Sequence, residues 1–500
     1  MKKLVIDEEE TSGVALLATN VGSNLPAVVG DSLIGLALRK QGFAVKVALC
    51  DGALPACMAC TSEQFRDLDF FAKYGPSKIT CKVCFSGANK LFQSMGFDVI
   101  RLSDFVASSE DTKVTSSQLK DHARAGTVRF LKAEIDETNG AHSKIQDRYL
   151  EAAKLVETAY ERIYSRYRIG QVVAHHGIYV PQGVVVQVAQ KRKIRVATWT
   201  VGYRKSSILY GVGDTYHKTM ISDADWQEVN LDVKCETSIM QYLLSREKGS
   251  QDTISFVPRP RVFRIGIEAR RIKEKIDSKP HRQVVALYTN VVWDANIHFE
   301  NDIFNGMLKW LKETLFLLSE LDCWVIVRIH PAERRGFLVS EQNVFNEIKG
   351  QFSQIPDNFV IVDSSSSTSS YEIAGLSDFA ITYASKMAIE LSARGIPVVV
   401  AGQGWTRNKG ITTDPNNKSD YLVTIKSWVL NGPDLMTREQ IENAKKFAYH
   451  VFFEKMRELD SLKPRNGFPP FSISKKTFGV NGEFIDDKLL DLTKEWISKN

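Results

Sequence analysis

The sequence predicts an α/β protein of two parallel-sheet domains. Short β-branched runs alternate with helical stretches in both halves, as buried parallel strands and their crossovers require. Two runs in the second half end on chemically loaded residues, Arg328-Ile-His330-Pro331-Ala-Glu333 and Tyr383-Ala-Ser385-Lys386. A stretch with Pro258-Arg-Pro260 and a charged helical pattern lies between the halves, so the boundary is expected within 255–279.

In chain order, 14–19 reads as a first strand, 20–24 as a loop, 32–41 as a helix and 44–49 as a second strand delivering Cys50 and Asp51. The loop lacks the full glycine fingerprint of a dinucleotide site, so no NAD site is expected. Residues 171–174 form a strand ending at His175 and His176, with a helix at 184–191. The strand 195–200 then leads to Gly202-Tyr203-Arg204-Lys205 and Gly213-Asp214-Thr-Tyr216-His217. A paired-histidine metal site is disfavoured, because adjacent residues on a strand point apart.

The second half restarts at 283–289, with Thr289, Asn290, Trp293 and Asp294 at the strand end, where they are expected to face an interdomain cleft. The strand 323–329 carries Arg328 and His330 to a carboxyl edge, where ligands of open α/β sheets bind. Imidazole and guanidinium suit a phosphate there, and Pro331 sets the turn. The serine run 364–370 reads as a flexible loop. A strand at 379–383 leads through Ser385 into a helix from Lys386 to about Ala393, closed by Gly395 before a strand at 397–401. Ser385 is expected near a helix N-terminus suited to an anion, and Glu390 one turn inside. A helical zone at 437–462 and a last helix at 486–498 follow.

The chain has 500 residues, 43% hydrophobic and 25% charged, enough for two cores. No apolar run approaches the roughly 18–20 residues of a membrane-spanning helix. Met1-Lys-Lys-Leu-Val-Ile runs into Asp7-Glu-Glu-Glu10, unlike a signal peptide, so a cytoplasmic location is expected. The net charge of +6 is mild. Basic clusters at 191–195 and 259–279 suit ordinary solvated surface, or contact with anionic lipid or a charged lipid-linked glycan; nothing else points to nucleic acid.

Five of the seven cysteines fall close together: Cys50, Cys57, Cys60, Cys81 and Cys84. Cys57-x2-Cys60 and Cys81-x2-Cys84 have the spacing of two knuckles that close a four-thiolate zinc site. Structural zinc on Cys57, Cys60, Cys81 and Cys84 is therefore expected, with free buried thiols or an iron–sulfur cluster as alternatives, in an insertion spanning 50–90. Four sulfur ligands leave no open position for chemistry.

The segments around His330-Pro331, Ser385 to Glu390, Gly395-Ile-Pro397-Val-Val-Val400 and Gly402-Gln-Gly404-Trp-Thr-Arg407-Asn-Lys409-Gly410-Ile-Thr412 resemble bacterial capsule and surface-polysaccharide glycosyltransferases of the GT-B type, including those that use CMP-activated Kdo. The resemblance covers roughly 280–425, and 175–217 more loosely. It implies two Rossmann-like domains facing a cleft: 1–257 for the acceptor, 280–435 for a nucleotide-sugar donor, and 436–500 as helices packing back on the first domain. It also implies that His330 and Lys386 approach the donor phosphate and that Glu390 holds the ribose.

The expected activity is transfer of a sugar from CMP-Kdo or a similar donor to a polysaccharide or lipid-linked acceptor, with peripheral attachment to the inner membrane as a further expectation. The donor-site candidates are Thr289, Asn290, Arg328, His330, Pro331, Glu333, Ser385, Lys386, Glu390, Gly402, Arg407, Lys409 and Gly410; those for the base are Asp31, His176 and Asp214. No Asp-x-Asp motif stands out, so no catalytic Mg²⁺ is expected. A nucleotide-sugar 2-epimerase and a non-catalytic glycan-binding or assembly protein are the alternatives.

Overall fold

The computed structural model describes residues 12–106, 116–247, 252–253, 266–280, 282–294, 302–335, 338–465 and 469–498. The acidic run ending at Glu10 and Pro258-Arg-Pro260 lie outside them. The chain divides into two compact units, Met1–Met220 with Lys455–Asn500, and Ile221–Glu454.

Unit 1 contains strands β1 (Val14–Asn20), β2 (Ala44–Leu49), β3 (Asp98–Arg101), β4 (Ile169–His175), β5 (Arg195–Val201) and β6 (Ser207–Val212). Their order is β6-β5-β4-β1-β2-β3, with the strand Met456–Glu458 beyond β6. The run from β5 to β3 is parallel, while β6 and Met456–Glu458 pair antiparallel. Alternation along each strand feeds two cores. Leu16 and Ala18 enter one with Tyr149 and Val172, whereas Ala15 and Leu17 enter the other with Val173 and Trp199. The chain leaves β1 toward β2 on one side and returns with β4 on the other, so the carboxyl ends of β1 and β4 form a topological switch point.

Unit 2 is a five-stranded parallel sheet of β7 (Gln283–Tyr288), β8 (Cys323–Arg328), β9 (Phe359–Val362), β10 (Phe379–Thr382) and β11 (Val398–Val400), in the order β11-β10-β7-β8-β9. Its switch point lies between β7 and β10. Val285, Leu287, Val325 and Val327 face one core; Val284, Ala286, Trp324 and Ile326 face the other.

Several elements differ from the sequence reading. The first helix is Leu25–Lys40 rather than 32–41, with Pro26 tolerated in its first turn, where the missing N–H costs nothing. The helical zone from 437 gives the helix Arg438–Tyr449 and one further turn. Met456–Glu458 then becomes an edge strand, because pairing with Ser207–Leu209 outweighs helix propensity. The serine run is ordered: Ser369 caps the helix Ser370–Ala374 through a capping box with Glu372, and Ser364 is fully buried.

The cysteine segment is no appended insertion either, since the helix Lys78–Ser94, which carries Cys81 and Cys84, is the crossover from β2 to β3. The unit boundary falls before 257 because the helix Val233–Glu247 docks in unit 2 through Arg246 to Glu390 and Leu243 O to Arg394. It falls after 436 because Phe447 meets Trp226 and Lys445 pairs with Glu236.

Candidate functional site

In unit 2, Thr289 follows β7 and its Oγ1 accepts a hydrogen bond from His330 N at 3.1 Å, tying the ends of β7 and β8 together. His330 Nδ1 accepts from Ala332 N at 3.1 Å, which places the proton of a neutral ring on Nε2. Burial, then the Lys386 and Arg328 charges, hold that imidazole at about 4, so it is neutral at pH 7. Arg328 donates to Asp363 O at 2.6 Å, and burial, followed by Arg335, lowers its guanidinium to about 10. Lys386 retains a quarter of its side-chain surface; burial and then Arg246 bring its amine down to about 8 against the offsetting pull of Glu390.

His330, Arg328 and Lys386 thus gather positive potential and an N–H donor at the carboxyl edge beside the switch point. Several buried polar atoms at the same edge lack a partner: Asn290 Oδ1 after β7, Arg328 Nε at the end of β8, Ser364 Oγ after β9 and Thr382 Oγ1 at the end of β10. Such atoms are costly unless a ligand or water satisfies them. Asp294, expected with Asn290 at this strand end, hydrogen-bonds Asn290, and burial raises its carboxyl to about 6.

Other expected donor residues are occupied by the chain itself. Glu390 is 0% exposed; Arg246 Nε lies 3.0 Å from Oε1, Tyr371 donates to Oε2 and Lys386 Nζ is 3.7 Å away. Burial raises the carboxyl, but Arg246 and Lys386 outweigh it and its pKa falls below the ordinary value. Its Oε1, ion-paired with Arg246 and Lys386, accepts no hydrogen bond. Glu333 accepts from Asn343 Nδ2 at 2.9 Å and Val344 N at 3.1 Å, fastening the start of the helix Val344–Gln351.

Arg407 donates to Gly402 O and Pro415 O, and Lys409 to Ile221 O and Asp223 O, so both charges brace backbone. Gly402 packs so closely that a Cβ would fall 2.8 Å from Tyr383 O, and Gly410 turns the loop at φ 70°. Pro331 begins the turn that follows β8, and its carbonyl accepts from Arg335 N at 3.1 Å. Ser385 Oγ accepts from Met387 N at 3.2 Å, but the helix it starts, Met387–Ser392, is too short to act as an anion site by itself.

In unit 1 the base candidates are sorted by access. Asp31 is fully buried, accepting from Thr19 Oγ1 and Trp199 Nε1, each at 2.7 Å, and burial lifts it to about 7 despite both bonds. Gly30 beside it admits the Trp199 ring, which would lie 1.9 Å from a Cβ. Both Asp31 oxygens are therefore engaged inside the core. Asp214 is half-buried and accepts from Thr215 N at 2.6 Å. His176 follows β4 with φ 70°; its Nδ1 is 3.2 Å from Tyr216 OH, and burial followed by Arg129 keeps the ring neutral with a pKa of about 4. His175 and Tyr179 meet it edge-to-face, and His217 lies tilted beside it.

All seven cysteines are free thiols. Cys84 Sγ accepts from Ser23 N at 3.2 Å, backbone N–H groups of Gly52, Ala53 and Leu54 point to Cys50, and those of Ala59 and Cys60 to Cys57. Cys60 sits in the core at 3% exposure. Among the described residues no group of three or more His, Cys, Asp or Glu side chains is arranged to hold a metal. The zinc expectation stands on spacing and on the amides directed at sulfur, not on a formed site. No helix among the described residues is long and apolar enough to cross a membrane.

No protein-family model matches the chain, and no curated protein matches it. Among solved structures it is similar to Thermosulfurimonas dismutans KpsC, a beta Kdo 2,4 transferase (12% identity, 65% of this chain and 87% of that one, TM-score 0.35). It is similar also to a Rickettsia africae glycosyltransferase (10%, 98% and 100%, 0.29) and to the UDP-GlcNAc 2-epimerase of Neisseria meningitidis (9%, 89% and 98%, 0.27). Likenesses this remote decide neither fold nor function, which rest on the residues above.

Proposed function

We propose that the chain is a glycosyltransferase of the GT-B type, with unit 2 binding a nucleotide-activated sugar, CMP-Kdo or a similar donor, and unit 1 receiving a surface polysaccharide or lipid-linked glycan. One observation carries the reading: neutral His330, Arg328 and Lys386 share the carboxyl edge at the unit-2 switch point with buried polar atoms that lack partners. An anionic, hydroxyl-bearing ligand satisfies both features.

In the reaction, an acceptor hydroxyl loses its proton to a general base, its oxygen forms a bond to the anomeric carbon, and the bond to the donor phosphate breaks with the electron pair leaving on phosphate. Lys386 and Arg328 stabilise that charge, and His330 donates from Nε2. Thr289 positions His330. The protein works in the cytoplasm, attached peripherally to the inner membrane.

Calorimetry with CMP, UDP and GDP tests the donor site. Selective binding of one nucleotide, weakened in Lys386→Ala and His330→Ala, supports it; no binding to any nucleotide overturns it. Product analysis with and without acceptor separates transfer from 2-epimerisation. Binding of glycan without turnover of any donor would favour an assembly role.

A further inference from the structure

A cavity of about 940 Å³ opens at the opposite, amino-terminal edge of the unit-1 sheet, where β1, β4 and β5 begin. Five cations line it: Lys40, Arg192, Lys193, Arg195 and Lys494. None of the lining residues is acidic, and the remainder includes an apolar floor of Phe43, Ile169, Ile194 and Ile497. It therefore takes up the basic cluster 191–195, which the donor and acceptor sites leave unused.

Part of this charge has a structural use. Lys40 donates to Phe484 O and Arg195 to Ile497 O, but bonds to neutral carbonyls remove no charge. Arg192 pairs with Glu161, and Lys494 lies 3.4 Å from Asp491, both exposed contacts of the weak kind. Lys193 is exposed on a left-handed residue at φ 55°.

The helices Leu25–Lys40, Gln182–Lys191 and Asp487–Ser498 all end at this edge, so their carbonyl-bearing, negative ends face the cavity region. A small free anion sitting deep would meet those carbonyls. Long cationic side chains beside apolar lining residues suit a charged surface instead.

We propose that this face docks on the anionic phospholipid headgroups of a bilayer. The proposal deepens the peripheral attachment given above, and it stands or falls separately from the donor chemistry, because vesicle binding and nucleotide binding are independent readouts.

The test is co-sedimentation of the full chain with phosphatidylcholine vesicles, with or without phosphatidylglycerol. Binding is expected only with phosphatidylglycerol, falling roughly 25-fold in a Lys193→Ala/Arg195→Ala variant, at about fivefold per charge near the surface. A control variant, Lys426→Ala/Arg438→Ala, removes the same charge from exposed positions of unit 2 and is expected to bind as wild type; matching thermal melts confirm that each variant is folded. Equal binding to neutral vesicles, an unaffected double variant, or an equal loss in the control overturns the proposal. So does Lys193-dependent binding of inorganic pyrophosphate without vesicle binding, which would mark a soluble-anion pocket.

Discussion

Arg246 Nε and Glu390 Oε1 lie 3.0 Å apart, with the side chains 8% and 0% exposed. Such a pair is unforgiving to single changes, since removing one partner strands a buried charge. Arg246→Met is expected to destabilise the protein by about 3–5 kcal/mol, and Arg246→Met with Glu390→Met by clearly less than the sum of the singles. Urea denaturation of the two singles and the double would show it; additive losses would mean that the two charges do not depend on each other.

Lys386 links the same cluster to the proposed donor site. Its folded pKa of about 8 lies below the ordinary 10.5. The unfolded chain therefore binds more protons between these values, and this group's contribution to stability improves as pH rises through that window. The charge offered to a phosphate drains over the same range. Nucleotide affinity is expected to fall above pH 8, toward tenfold per pH unit, and calorimetry on Lys386→Met should find that dependence gone.

Asp31 titrates in the opposite sense. Its carboxyl moves from 3.8 to about 7 on folding, so the folded chain holds more protons between them and stability declines as pH rises from about 4 to 7. The contribution is on the order of 4 kcal/mol across the full shift. Asp31→Asn cannot ionise, and its denaturation midpoint should lose that part of the pH profile; an unchanged profile would place the titration elsewhere.

The cysteine segment yields a metal prediction. If the amide-directed sulfurs hold structural zinc, emission spectroscopy of the purified protein finds close to stoichiometric metal, and Cys81→Ser with Cys84→Ser removes it along with several kcal/mol of stability. Metal well below stoichiometric in the unmodified protein would return these residues to plain buried thiols.

β1, β2, β4, β5, β7, β8, β10 and β11 were legible because they are continuous apolar runs, and His330 was legible because it follows one. What hid was pairing across long stretches of chain. Nothing within the helix of Glu390 announces Arg246 and Tyr371, which reach its carboxylate from elsewhere in the chain. Glu333 beside His330 turns out to serve the helix at Val344, and Arg407 and Lys409 serve carbonyls. The edge strands β3, β9 and Met456–Glu458 also escaped, together with β6 beside the last of them, since an edge strand is made by its partner more than by its own pattern. The crossover helix Lys78–Ser94 was obscured because its cysteines suggested a separate module.

Unit 1 begins the chain and also ends it, with unit 2 inserted between Met220 and Lys455. On the ribosome, residues 221–454 emerge whole while the older unit still waits for the strand Met456–Glu458 and for Trp496, which covers Tyr210. A premature stop after Glu454 would thus spare the later-made unit and cripple the earlier one, leaving β6 as a raw sheet edge open to pairing with other chains.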